Sequence, residues 1–135
     1  MARTSDGFQC SVITPEAVVL ETEALSASFP AHDGEFGILR DRAPLVCALG
    51  IGIMRLEIPD GLRKLFVDGG FAEVHANRLT ILTNRALTAD QIDPDAARRE
   101  LEEATAMRIT DEASRQARQD GIARGKVLLR MVSGS

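Results

Sequence analysis

Few side chains in this sequence stand where they could do chemistry together. His32, Asp33 and Glu35 share one short stretch, Pro30-Ala31-His32-Asp33-Gly34-Glu35-Phe36-Gly37. An imidazole and two carboxylates could hold a cation or pass a proton, but no further His or Cys lies at ligand-like spacing. A polar turn is the expectation, because two glycines three apart supply the positive φ angles of tight reversals. His75 sits in a strand-like run and is expected at its surface. Gly69-Gly70 lacks the lysine and the following helix of a phosphate loop, so it is expected to be a tight turn or bulge. No serine occupies a nucleophile elbow, and two histidines in all leave little for a triad. No catalytic residue, metal ligand or cofactor is therefore expected. Cys10 and Cys47 lie in apolar runs without CxxC spacing and are expected as buried, reduced thiols.

The bulk of the chain narrows the function classes further. With no Trp, no Tyr and only 4% aromatics, it offers little stacking surface for single-stranded nucleic acid. A net charge of −4 disfavours a polyanion binder. Charge is unevenly placed: residues 1–91 hold roughly 8 basic and 12 acidic groups, and residues 92–135 roughly 8 of each. Met1 to Gly7 has no apolar signal-peptide core, and no run approaches the ~20 apolar residues of a membrane span. Neither nucleic-acid binding nor direct membrane insertion is expected.

From Phe8 to about Leu87 the sequence reads as short strands broken by turn residues: 8–13, 17–21, 24–29, 45–49, 51–58, 62–67, 71–74 and 79–82. In Met54-Arg55-Leu56-Glu57-Ile58 apolar and charged residues alternate, as in a half-buried strand. Pro59-Asp60-Gly61 marks a hairpin. Strands at this spacing with no helices between them imply an antiparallel sandwich or barrel, of which the sandwich is the expectation.

Composition shifts near Thr88, which divides the chain into a β domain, 1–88, and a helical segment, 89–135. Asp93-Pro94 is a helix start, a capping carboxylate followed by a proline whose missing N–H costs nothing. Ala97, Leu101 and Ala104 then form a narrow apolar stripe up to Met107. Arg108 to Thr110 is the expected break, with Thr110 capping a second helix to about Val132. On that helix Ala113, Ala117, Gly121, Gly125, Leu128 and Val132 share one face, while Arg115, Arg118, Lys126 and Arg130 fall on the other. The fold class is thus β plus α, a sandwich followed by an antiparallel two-helix hairpin. So small an apolar payload makes the hairpin a movable element.

Four stretches together resemble one family. Pro30-Ala31-His32-Asp33-Gly34-Glu35-Phe36-Gly37-Ile38-Leu39 with Arg42-Ala43-Pro44-Leu45 is similar to the P-x-x-x-G-E-x-G-I-L…H-A-P-L stretch of epsilon subunits of rotary F-type ATP synthases. Val67-Asp68-Gly69-Gly70-Phe71-Ala72-Glu73-Val74 resembles their G-G-F-x-E-V strand, and Asn77-Arg78-Leu79-Thr80-Ile81-Leu82 their N-x-V-T-I-L strand. Val12-Ile13-Thr14-Pro15-Glu16 resembles their opening. The resemblance implies a non-catalytic central-stalk subunit, peripheral to the cytoplasmic face of a bacterial inner membrane. Its sandwich would bind the gamma subunit and the c-subunit ring, coupling rotor to ring in ATP synthesis. Its hairpin would reach the alpha and beta catalytic subunits and slow ATP hydrolysis.

The resemblance also assigns candidate residues. Glu35 and Arg42 would contact the c ring or gamma; Arg115, Arg118, Lys126 and Arg130 would make the inhibitory contact. The family's nucleotide motif I/L-D-x-x-R-A survives only as Ile92, Asp93 and Ala97, with Ala96 in place of the arginine that would grip a phosphate. The family's Pro-Gly-His is Arg40-Asp41-Arg42 here, which exchanges a titratable imidazole for a permanent charge. The competing reading is a free-standing β-sandwich binding module with a helical tail. It requires a sizeable apolar cavity, whereas a stalk subunit requires a filled core and an exposed apolar edge.

Overall fold

The structure is a computed structural model that describes residues 7–32 and 34–133. The chain divides into two compact units, Met1–Ala86 and Leu87–Ser135.

The first unit is all β: β1 (Phe8–Ile13), β2 (Val18–Ala24), β3 (Ser26–Ala31), β4 (Gly34–Ile38), β5 (Leu45–Ile58), β6 (Gly61–His75), β7 (Arg78–Leu82) and the short β8 (Ala86–Leu87), which reaches into the second unit. The sheet order is β2-β1-β7-β6-β5-β3-β4, with β8 joined to β6. Neighbours pair antiparallel except β1 and β7, which run parallel from Gln9↔Arg78 to Ile13↔Leu82. Alternation sets the faces. In β7, Leu79 and Ile81 are buried while Arg78 and Leu82 are exposed; in β6, Ala72 and Val74 are buried between Phe71, Glu73 and His75. The inward residues form one packed core, in which Cys10, Val12, Phe29, Leu56, Val67 and Leu79 are wholly enclosed. Phe29 stacks on Phe36 with ring centroids 5.9 Å apart.

Several strand boundaries differ from those expected. Residues 45–58 and 61–75 each form one long strand where two were expected, because Gly50, Gly52 and Gly69-Gly70 do not end the strands. The register between them does not shift from Leu45↔Val74 to Ile58↔Gly61, and pairing skips just the Gly50–Gly69 position. Gly69-Gly70 is therefore neither a turn nor a bulge in this ladder. Gly70 takes φ 104°, and a Cβ there would lie 1.9 Å from the Leu82 carbonyl oxygen. Only glycine fits where β6 runs against the end of β7. The expected turn cluster at 32–37 is mostly strand, since β4 starts at Gly34 and pairs with β3 through Phe29↔Phe36 and Pro30↔Glu35. Cys10 is buried as expected, but Cys47 is only half-buried.

The second unit holds a 3-10 turn (Ala89–Gln91) and two helices, α1 (Pro94–Ala106) and α2 (Glu112–Val132). The Asp93 side chain accepts from the Asp95 N–H, capping α1 ahead of Pro94. The α2 cap is Asp111 rather than Thr110: Asp111 Oδ1 accepts from the Ser114 N–H at 2.8 Å, and Ser114 Oγ accepts from the Asp111 N–H at 3.0 Å. The hairpin closes on its glycines. A Cβ at Gly121 would lie 2.7 Å from Ala104 Cβ, and one at Gly125 2.8 Å from Leu101 Cβ. The buried face of α2 is rotated from the expected stripe. Gly125, Val127, Leu128 and Met131 are buried, whereas Ala113 and Ala117 are exposed. Arg108 to Thr110 lie in the break between the helices. No described helix is long and apolar enough to cross a membrane.

Candidate partner-docking surface

The outward face of the sheet carries hydrophobic residues where the alternation calls for polar ones. Val46 is 67% exposed, Phe71 58%, Val18 56% and Leu82 47%. Register brings them together. Phe71 stands opposite Ala48 on β5 and Leu82 on β7; Leu82 stands beside Ile13 on β1, and Ile13 beside Val18 on β2. Cross-strand partners lie on the same side of a sheet, so these side chains form one apolar band across five strands. A shallow depression of about 350 Å³ lined by Ile13, Pro15, Phe71 and Leu82 lies within it. The exposed apolar surface thus crosses a face instead of following an edge. A contiguous exposed patch of this kind is a candidate contact site for another macromolecule. The sequence held the signal, since Leu82 shares its parity with Thr80, and Phe71 shares its parity with Glu73 and His75. None of the four was singled out there.

One end of the band is charged. Val46 stands opposite Glu73, and Glu73, His75, Arg78 and Thr80 line a small polar hollow of about 230 Å³. Near this end the β4–β5 loop carries Arg42, whose guanidinium lies 5.4 Å from the Phe36 ring centroid. The Phe36 ring that stacks on Phe29 therefore also seats the cation. Arg42 is exposed but held. Glu35 is exposed on β4, next to Phe36 in sequence and on the opposite face of the strand. The two candidate contacts of the sandwich are thus on neighbouring segments, with side chains directed differently.

The candidate residues of the hairpin are not equivalent. Arg118 donates from Nη2 to the Thr105 carbonyl at 3.1 Å. It therefore faces α1, contrary to the expected all-outward basic stripe, because position 118 borders the glycine face. Arg115 pairs with Glu112 one turn earlier, at 3.6 Å. Lys126 and Arg130 are exposed. The residues of the degenerate nucleotide motif have structural duties: Asp93 caps α1, while Ile92 and Ala97 are buried at 8% and 2% exposure. Arg98 is ion-paired with Asp95 in the same first turn. Among the described residues no group of three or more His, Cys, Asp or Glu is placed to hold a metal ion. Asp33, the third member of the 32–35 cluster, lies outside the described residues.

A further depression in the sandwich is an open hollow on its surface. It measures about 600 Å³, is lined by Ser26, Arg55, Glu57, Pro59 and Leu62, and opens beside the β5–β6 turn. Ser26 Oγ donates to Glu57 there at 3.2 Å.

Comparison with known proteins identifies the chain's family. Residues 7–89 match the family described as ATP synthase, Delta/Epsilon chain, beta-sandwich domain. The chain is 38% identical over 123 residues to the ATP synthase epsilon chain of Rhodopirellula baltica, covering 91% of this chain and 96% of the relative. The chain belongs to the ATP synthase epsilon chain family. The chloroplastic epsilon chain of Guillardia theta is 43% identical over 95 residues, 70% of this chain and 72% of its own. Two solved structures share the fold. A chain of the Euglena gracilis mitochondrial ATP synthase (OSCP/F1/c-ring, rotational state 1) aligns at TM-score 0.79 with 24% identity, covering 94% of this chain and 82% of that one. A chain of the Tetrahymena thermophila mitochondrial ATP synthase central stalk and c-ring aligns at TM-score 0.72 with 13% identity, covering 97% and 99%. An epsilon chain is a subunit of a multisubunit complex, and the apolar band is read below in that setting.

Proposed function

We propose that this epsilon-family chain is a non-catalytic stalk subunit on the cytoplasmic face of a bacterial inner membrane. It couples the gamma subunit to the c-subunit ring during ion-driven ATP synthesis. The observation that carries the proposal is the band of Val18, Leu82, Phe71 and Val46, large apolar side chains brought together in water on one face of the sandwich. The band is the surface for gamma, with Arg42 at its charged end. Glu35, directed to the other side of β4, is the contact for polar loops of the c ring. The helical hairpin reaches the alpha and beta subunits and restrains ATP hydrolysis. Lys126 and Arg130 are the exposed cations that would meet acidic residues there; Arg115 can join them by exchanging its local partner.

Extraction in mild detergent tests the proposal. Tagged protein should bring down alpha, beta and gamma subunits in stoichiometric amounts, and purified chain alone should show no nucleotide hydrolysis. A chain recovered free of those subunits, or turnover that scales with this chain through repurification, would overturn it. Among the described residues the alternative of a free-standing ligand-binding module has less support, since the buried side chains pack into one core and the hollows lined by Ser26, Phe71 and Glu73 are open.

A further inference from the structure

The loop between β4 and β5 and the turn between β6 and β7 are fastened by one reciprocal pair of hydrogen bonds. The Asp41 N–H donates to Asn77 Oδ1 at 2.6 Å, and Asn77 Nδ2 donates to Asp41 Oδ1 at 3.1 Å. Both residues lie in the left-handed region, with φ 67° and 60°. Asn and Asp accept that region better than other side-chain-bearing residues. Asn77 is the leading influence that holds the Asp41 carboxyl below the usual range, with Arg40 Nε 3.6 Å from the same oxygen assisting.

The clasp sits between the two halves of the docking surface. Asp41 immediately precedes Arg42, which is seated over Phe36, and the same loop leads into β5 and Val46. Asn77 closes the hairpin whose strands carry Phe71 and Leu82. Without the clasp, residues 39–44 would lose their tie to the β6–β7 turn and keep the Arg42–Phe36 contact, which leaves more freedom for binding to freeze.

We infer that Asn77 is a positioning residue for gamma binding. It makes no contact with gamma itself; it fixes the Arg42 loop against the apolar band so that both meet the partner already ordered. Rigid presentation of this kind increases affinity by removing an ordering cost from association. The inference rests on the docking role proposed above.

The experiment is an affinity measurement between the full-length chain and purified gamma subunit, with a double-mutant cycle at 41 and 77. Asn77→Gly keeps the left-handed backbone free of strain while deleting both bonds. It should weaken gamma binding about tenfold. Asn77→Asp sets two carboxylates face to face and should weaken binding comparably. Asp41→Asn alone preserves an acceptor for Asn77 and should bind as the parent does. The swapped pair Asp41→Asn with Asn77→Asp exchanges donor and acceptor, so affinity should return to within about twofold of the parent. Hydrogen exchange at the Asp41 amide should speed up in the two weak variants and slow again in the swap. A role in stability alone would alter melting and leave affinity unchanged. Parent-like gamma affinity in Asn77→Gly and Asn77→Asp, or no recovery in the swap, overturns the positioning role. If the parent chain itself fails to bind gamma, the docking role falls and the inference falls with it.

Discussion

Asp41 occupies the place where the family resemblance expects a glycine, and its φ of 67° is the conformation glycine would take without strain. The departure is accommodated by the short polar side chain and by Asn77 across the loop gap. Such a compensation is invisible in sequence, because the partner is 36 positions away. At the same scale the two thiols were legible only in part. Cys10 lies on the inward side of β1, where burial pushes its thiol up to about 12; Cys47 is only half-buried, and burial raises its thiol too. An apolar neighbourhood in sequence does not tell a central strand from the exposed end of a long one. Alkylation at pH 8 should therefore modify Cys47 first and leave Cys10 untouched until the protein is denatured. Equal labelling in the native state, read by mass spectrometry, would contradict the enclosed position of Cys10.

At the scale of elements, the hairpin depends on two positions without side chains. Ala in place of Gly125 would gain about 1 kcal/mol of helix propensity. Its Cβ would lie 2.8 Å from Leu101 Cβ and 3.0 Å from Leu101 Cα, atoms that cannot swing aside. Overpacking of this kind costs about 1–3 kcal/mol, so the net effect should be destabilising. Helical ellipticity of Gly125→Ala should melt at lower temperature than in the parent, with the sandwich transition unmoved. A hairpin that becomes more stable would show that the helices do not meet at this crossing. The α2 cap gives a pH test. Backbone and side-chain bonds from Ser114 hold the Asp111 carboxyl below its usual range. A depressed folded-state value means that the cap's contribution is complete above the unfolded carboxylate range. It is lost as pH falls below about 4. Fraying at the start of α2 should follow that acid limb, and Asp111→Asn should flatten it in amide exchange of residues 112–116. The paired helices and the α1 start were readable from Asp93-Pro94 and the alanine spacing. The cap one residue late and the rotated stripe were not. Thr110 and Asp111 are both competent caps, and only the packing of Val127 and Met131 decides which face turns inward.

For the molecule as a whole, sequence pattern was sufficient for the class, a β-sandwich and two helices, because alternation, hairpin turns and a helix cap each act locally. The proposed docking surface needed the register, since Val46, Phe71, Leu82 and Val18 come from four separate strands. Replacing Phe71 and Leu82 by Ser should leave the fold's stability within about 0.5 kcal/mol, as expected for exposed sites. The same change should weaken gamma binding by at least about tenfold, as expected for the centre of a contact. Loss of folding instead would mean that the band serves the sandwich itself. Cutting the chain after Thr88 should leave a folded sandwich, since the core of β1–β7 is complete before that point. Its melting temperature and gamma affinity should stay near those of the full chain, while hydrolysis by the reassembled complex should rise. An unfolded fragment would refute the two-part division, and unchanged hydrolysis would refute only the restraint.

The parallel pairing of β1 with β7 has a consequence for how the sandwich is made. β1 lies between β2 and β7, and each of its bonds to β7 joins residues roughly seventy positions apart. On a ribosome, the β5–β6 hairpin can form as soon as it emerges. The β1–β2 pair then stays detached until Leu82 has cleared the exit tunnel. β1 should consequently be among the last strands to be seated, with the inward residues Cys10 and Val12 not fully enclosed until β7 has emerged. Refolding should show the same order, with β5–β6 amides protected early and β1 amides late in pulsed hydrogen exchange.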